Sequence, residues 1–364
     1  MSRIRDIANI LSGNTSMATD AEVTSSIASH AAAADPHTVY LKESEFNAGG
    51  KNSIINGGID FWQRGTSIAF GNNYTADRWH GYHSSGVATA SRSTDKPSGF
   101  QYSLKVQRNV SATATDPIYL SYMMESLDSY KYQGQVVTVS FYAKAGANYS
   151  PTSSILQMSL RTTTSVDGNV ISGPWVNTSY IINQSSTLTT SWQRFSYTGT
   201  IGSTANSIAI VFASFHTGTA GADDAYYITG VQLELGSSAT LFSRSSGTIQ
   251  GELAACQRYY WRSTPGSVYS THANGMATSS TTSYSHMHFP VPMRISPTSV
   301  DYANVGFGDL NAGVINPSFV GLTSYTGTYG IVVQVNATGY TQYRPGQIMN
   351  NNNVAGYLGF SAEL

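Results

Sequence analysis

Paired carboxylates are the residues of this chain best placed to do chemistry. Hydrolysis of a glycosidic bond needs two of them flanking one sugar ring, about 5–9.5 Å apart. The sequence offers Asp223 beside Asp224, Glu125 with Asp128, and Asp60 with Asp77, none in a recognisable catalytic setting. Asp223-Asp224 in a Gly-Ala stretch reads as a solvated turn or as a calcium-binding pair. His272, His286 and His288 are close enough in the chain to raise zinc, and His286 and His288 share one strand face. No cysteine or nearby carboxylate completes that shell from one chain. Copies of the same His around an axis would be needed, an option that His30 and His37 share; polar interface residues are the simpler account. The single Cys256 falls on the apolar side of a short helix, where a buried, inert thiol is the default. There is no G-x-S-x-G, phosphate-binding glycine loop or dinucleotide fingerprint. The expectation is a protein that is not an enzyme and carries no metal and no cofactor.

Binding chemistry is better represented. Sugars are recognised by aromatic faces against their C–H surfaces and by amides and hydroxyls on their oxygens. Tyr325, Tyr329, Tyr340 and Tyr343 lie among Thr, Asn and Gln, and Asn350, Asn351, Asn352 and Asn353 place four amides on one expected loop. Taken singly, each tyrosine fits a sandwich surface or a subunit interface equally well; as a set they are the candidate contact. Trp62, Trp175 and Trp192 are a second candidate platform earlier in the chain.

Composition narrows the classes. Only 11% of the 364 residues are charged, and 20 acids nearly cancel 19 bases. Such a chain has no field to hold a nucleic-acid backbone, and no run of about 18 apolar residues to insert in a membrane. One cysteine makes no internal disulfide. The 51 Ser and 38 Thr raise disorder, but 40% apolar and 12% aromatic content oppose it. With 34 Gly and 24 Tyr they fit many strands joined by tight turns.

Three regions follow. In residues 1–50, Ile4, Ile7, Ile10 and Leu11 recur at helical spacing and predict a helix over Ser2–Leu11. Thr19 with Glu22 forms a capping box for a second helix, whose Val23, Ile27, His30 and Ala34 make a short a/d seam ending at Asp35-Pro36. Helices this short need partners: either the chain's own sheets or further copies of the chain. Residues 51–247 alternate with period two, in about ten strands that include Gln101–Arg108, Ile118–Met124, Gln135–Lys144, Ile155–Arg161, Ser179–Ile182 and Ser191–Thr200. Ser207–Phe212 is apolar on both faces and therefore central. Residues 248–364 begin with a helix over Glu252–Arg262 and continue as a second β unit, with strands near Ser283–Phe289, Pro297–Tyr302, Ser318–Leu322, Ile331–Ala337 and Ala355–Phe360. Pro290 and Pro292 mark an edge or bulged strand. The fold class is mainly β: short helices, an antiparallel sandwich, then a second sandwich.

Three stretches resemble a known family. HAAAADPHTVYL (30–41) resembles an element near the trimeric stem of phage tail-fibre chains. IINGGIDFWQRGTS, YTADRW, SLKVQRN, GQVVTVSFYAKAG, WQRFSYTGTI and YYITGVQLELGSSATLFSRSS, in that order over roughly 52–245, are similar to the carbohydrate-binding-module-like jelly roll of tailed-phage tail fibres. ELAACQRYYWR (252–262) with FPVPMRISPT (289–298) resembles the unit that follows it. The resemblance implies a homotrimeric virion tail fibre, made in the host cytoplasm. Its N-terminus (Ile4, Ile7, Ile10, Leu11) would anchor to other tail or baseplate proteins. Its C-terminal unit would meet a host surface glycan or protein. A structural fibre or decoration protein without a receptor, a polysaccharide depolymerase and a secreted lectin-like module are the alternatives.

Overall fold

The computed structural model describes residues 20–32, 50–168, 178–309 and 313–364. The chain divides into two compact units, 1–46 and 47–364. In the first, Asp20–Ala32 is a helix (α1). Val23 and Ile27, four residues apart and so on one face, are 44% and 64% exposed. The expected Ser2–Leu11 helix, with Ile4, Ile7, Ile10 and Leu11, the capping residue Thr19, and also His37 and Trp175 lie outside the described residues.

The second unit is built from antiparallel sheets. Its first sandwich uses Ser67–Ala69 (β1), Asn73–Tyr74 (β2), Trp79–Tyr82 (β3), Ala88–Ser93 (β4), Ser103–Arg108 (β5), Ile118–Met124 (β6), Val136–Ala145 (β7), Ile155–Thr163 (β8), Thr178–Thr187 (β9), Gln193–Thr200 (β10), Ser207–Ser214 (β11) and Ala225–Leu235 (β12). One sheet runs β1-β4-β5-β12-β7-β10 and the other β2-β3-β6-β11-β8-β9. From β5 to β12 the chain crosses repeatedly between the two sheets, a jelly-roll arrangement. The sequence pattern explains each placement. Ile208, Ile210 and Phe212 of β11 enter the main core, and Ala209 and Val211 pack a smaller cluster on the opposite face, so β11 is central. In β12, Val231 and Leu233 point into the core. Trp79 fills that core at 0% exposure, its ring tilted against those of Tyr122 and Phe212. Gly57 lets the entering segment run against β12: a Cβ there would lie 2.1 Å from the Val231 carbonyl oxygen.

Ile249–Gln257 (α2) leads into the second sandwich, capped by Thr248, whose side chain accepts from Gly251 N–H. The expected helix over Glu252–Arg262 is thus cut short. Tyr260–Ser263 is a strand instead, because Tyr260, Trp261 and Arg262 pair with the last strand and Trp261 stacks on Phe360. The remaining strands are Thr271–Ala277, Thr282–His288, Ser299–Ala303, Val305–Asp309, Gly313–Ile315, Phe319–Leu322, Gly330–Asn336, Pro345–Asn350 and Tyr357–Ser361, which with Tyr260–Ser263 are β13 to β22 in chain order. A seven-stranded sheet (β18-β17-β21-β14-β15-β20-β19) faces a three-stranded one (β13-β22-β16) over a core that includes Phe307, Ile331, Val333, Ile348 and Phe360. Pro290 and Pro292 do not sit in a strand: the segment leaves the sheet after β15 and is held by Phe289 N–H to Tyr329 O (3.0 Å) and Met293 N–H to Thr328 O (2.8 Å).

A seam of buried charge joins the two sandwiches. Arg78, with φ of 70° and 1% side-chain exposure, ion-pairs with Glu363, donates to Met123 O at 2.6 Å and lies 3.5 Å from the Tyr259 ring. Burial works against its charge, but Glu363 more than compensates and keeps Arg78 charged. Among the described contacts Asp77 does not pair with its chain neighbour Arg78. Asp77 accepts from Gln63 instead, and burial pushes its carboxyl above the usual range. Glu125 and Arg258 make a second, two-point bridge at 3.2 Å, and Asn56 N–H donates to Glu252 at 2.6 Å.

Candidate functional site

Pairing register on the seven-stranded sheet sets up a groove on its outer face. Residues directly opposite in an antiparallel ladder share a face. Gly308 opposes Gln347, Gln347 opposes Asn274, and Asn274 opposes His286, giving one row across four strands. Gln347 Nε2 donates to Asn274 Oδ1 at 3.0 Å, and Thr271 Oγ1 donates to Gln347 Oε1 at 2.8 Å. The side-chain amides are therefore oriented as a relay. Gly308 supplies the floor. A Cβ there would lie 2.7 Å from Gly313 O, so the close approach of β17 and β18 demands glycine. Tyr269, 52% exposed with φ of 56°, stands beside it with Val314, Met349 and Asn351, around a cavity of about 640 Å3. That volume suits a small ligand. None of the described lining residues is charged. An aromatic ring, amide donors and acceptors and no carboxylate suit the capture of a neutral, hydroxyl-rich ligand. They do not suit glycosidic cleavage.

The residues singled out in the sequence scatter around this groove. Asn351 lines it, held by its N–H to Asn304 O (2.8 Å) and its amide to Asn316. Asn350 is fully buried: its Oδ1 accepts from His272 Nε2–H at 2.7 Å and its Nδ2 donates to Ser267 O at 2.7 Å, so it fixes a loop and offers no surface. Asn352 is exposed with φ of 47°, and Asn353 accepts from Ala355 N–H, both shaping the turn. Tyr340 is 7% exposed and packs on Phe307 within the core. Tyr325, Tyr329 and Tyr343 are 78%, 72% and 70% exposed, on loops that flank β20, and do not line the groove. Tyr269, Asn274 and Gln347 carried no motif. The available signal was the V-G-F-G run at 305–308, apolar on one face and bare on the other.

The carboxylate pairs do not converge on one cleft. Asp223 holds Lys105 (2.8 Å) and accepts from Tyr227 O–H (3.1 Å). Asp224 turns inward to Arg108 and His216, both at 3.0 Å. A calcium ion has no place between them, since protein cations already occupy both carboxylates. Asp60 pairs with Arg244 and Glu125 with Arg258. Around Asp224 the distances match a nucleophile relay: Ser214 Oγ to His216 Nε2 is 2.9 Å and His216 Nδ1 to Asp224 Oδ1 is 3.0 Å. But Ser214 and Asp224 are 0% exposed and His216 is 3%, with Arg108 buried on the same carboxylate, so no substrate reaches the serine. The cluster is a satisfied polar core. Burial alone would raise the Asp224 carboxyl, but His216 and Ser150 outweigh it and hold it below the usual range.

Cys256 is buried, and that burial pushes its thiol well up. His272 is committed to Ser263 and Asn350, while His286 and His288 meet edge to face at 4.5 Å. Among the described residues no group of three potential metal ligands occurs. Trp62 is core, donating to Ile59 O at 3.0 Å. Trp192 lies half-buried on the jelly roll's outer face, near Tyr227, its Nε1 donating to Asp95 at 2.9 Å.

No protein-family model matches the chain, and no curated protein does. Solved structures resemble about half of this chain at low scores. A putative sugar-binding protein from Bacteroides thetaiotaomicron is 11% identical over 51% of this chain and all of its own, with a TM-score of 0.36. The xylan-binding CBM22-1 domain from Paenibacillus barcinonensis is 15% identical over 53% of this chain and all of its own, at 0.31. The enzymatically active domain of tailspike protein 4 from bacteriophage CBA120 is 15% identical over 51% of this chain but 21% of its own, at 0.33.

Proposed function

We propose that this chain binds a cell-surface glycan as the receptor-binding tail fibre of a tailed phage, acting as a homotrimer. The observation that carries the binding part is the groove: Tyr269, the Thr271–Gln347–Asn274 relay and Asn351 around about 640 Å3, with no charge among the described lining residues. Contacts of this kind are individually weak, and a trimer displayed in several copies raises avidity by roughly 100- to 10,000-fold without new contacts. The trimeric part rests on the exposed Val23 and Ile27 face of α1, which has the spacing of a helix seam. In this reading 1–50 anchors to other tail or baseplate proteins, the jelly roll is the body, and the second sandwich meets the host. The role is attachment, not cleavage.

The test is adsorption of the purified chain to candidate host cells, with Tyr269→Ala and Gln347→Ala as variants. Binding should be measurable for the parent and fall at least about tenfold for each variant, at unchanged melting temperature. Undiminished adsorption by both variants would remove the groove from the function.

A further inference from the structure

The direction of the groove's amide relay decides which polar groups it leaves over. Thr271 Oγ1 donates to Gln347 Oε1, and Gln347 Nε2 donates to Asn274 Oδ1. Each amide carbonyl on this row already accepts a bond. What remains is N–H: the second hydrogen on Gln347 Nε2 and both on Asn274 Nδ2, for which no acceptor occurs among the described residues. Asn274 is exposed and Gln347 half-buried, so a ligand in the groove reaches these donors. A hydroxyl that meets only donors leaves its own hydrogen unpaired, whereas a carbonyl oxygen accepts and has nothing to give. A carboxylate would accept too, but no cation among the described lining residues offsets its desolvation. The guest atom that fits this end is a neutral carbonyl oxygen.

Register sets what lies beside that oxygen. Met349 follows Gln347 by two residues on β21, so both side chains stand on the groove face. Gln347 opposes Asn274, which places Met349 diagonally from Asn274, at the roughly 7–8 Å of such pairs. Met349 is half-buried, and its thioether joins Val314 and Pro345 as apolar lining. A donor and an apolar side chain at that spacing bracket an acetyl group: the carbonyl oxygen takes the Asn274 N–H, and the methyl lies against Met349. The exposed Tyr269 ring is then available to the C–H face of the sugar that carries it.

We propose that the groove selects a neutral acetylated sugar, its acetyl group, borne as amide or ester, seated between Asn274 and Met349. This rests on the groove being the glycan site and adds which glycans it takes. The experiment is saturation-transfer NMR on the full chain. The probes are N-acetyl-D-glucosamine, N-acetyl-D-galactosamine and an O-acetylated methyl glucoside, with D-glucose and D-galactose as unacetylated counterparts. The variants are Asn274→Asp, which keeps the shape and replaces donors by acceptors, and Met349→Ala, each checked by thermal melting. At least one acetylated probe at millimolar concentration should receive saturation, strongest at its acetyl methyl. Its affinity should fall about tenfold in Asn274→Asp, the scale of one lost hydrogen bond, and measurably in Met349→Ala. The unacetylated sugars should bind at least about tenfold more weakly. A response to the amides alone, or to the ester alone, tells which linkage is read. Should one variant fail to fold, the other decides. Three results each overturn the proposal: silence from every acetylated probe, equal saturation of glucose or galactose, or an acetyl signal unchanged in the folded variants. If adsorption to host cells still depends on Tyr269 and Gln347 in that event, the groove remains the glycan site and only its selectivity is lost. If that dependence is absent as well, the glycan-site reading has failed with it.

Discussion

Glu363→Gln is the most informative single change for the architecture. Arg78 is 1% exposed and Glu363 5%, so their pair is shielded from solvent. In the variant the guanidinium stays charged and buried, keeping Met123 O at 2.6 Å and the Tyr259 ring at 3.5 Å but losing its counter-charge. Arg64, 3.3 Å from the same carboxylate, loses its partner too. Breaking a buried pair from one side costs about 3–5 kcal/mol. The retained amide places this case near 3, and at about 2 °C per kcal/mol for a chain this long the melting temperature falls by roughly 6 °C. Replacing both partners with Arg78→Met and Glu363→Leu removes the orphaned charge, so the double variant should recover at least about 1 kcal/mol relative to the single. Calorimetry and urea denaturation read both, and limited proteolysis between the sandwiches should become faster only in the single variant. A shift under about 2 °C for Glu363→Gln, or a double variant worse than the single, would refute the claim that this seam couples the two sandwiches.

Other outcomes are as definite. Asp224→Asn strips the counter-charge from Arg108 and should cost about 3–5 kcal/mol in denaturation, while Ser214 should resist fluorophosphonate labelling in the folded parent. Stability should fall with acid in two stages. Burial holds His80, His83 and His272 below the ordinary value of 6.5, so the unfolded chain takes up protons first and stability is lost as pH drops below that value. Asp224 and Asp301, held below 3.8 in the folded chain, add a second loss below that pH. Asp77, raised by burial, works with the opposite sign, and a melting temperature flat from pH 7 to 5 would contradict the histidine assignment. Light scattering of the chain should give about 117 kDa for three copies of 39.0 kDa, and Ile27→Asp should reduce it to 39.0 kDa; a monomeric parent would end the trimer reading.

Much of the fold was legible because burial writes itself into strands with period two. β6 begins and ends where its pattern does, and β11, apolar on both faces, is central. Strands without a legible period, such as β14 and β21, carry glycine and amides on their outer face instead of regular polar partners. The step pattern of the helix after residue 248 continues into Tyr260 and Trp261, which cross-strand pairing claims instead. The groove was only partly legible: of the four consecutive asparagines, one lines it, one is interred and two shape the turn.

By itself the sequence determined that this is a neutral, mainly β chain, poor in catalytic constellations and rich in groups that bind hydroxyls. Those properties follow from composition and local periodicity, which survive any arrangement of the strands. Only the tertiary structure decided which partners each polar group meets. It turned Asp77 away from its neighbour Arg78, sent that arginine to a glutamate 285 residues away, and drew Asn274, Gln347 and Asn351 to one face. The physical reason is that register and packing set these meetings, through hydrogen bonds and ion pairs between segments that no short-range pattern connects.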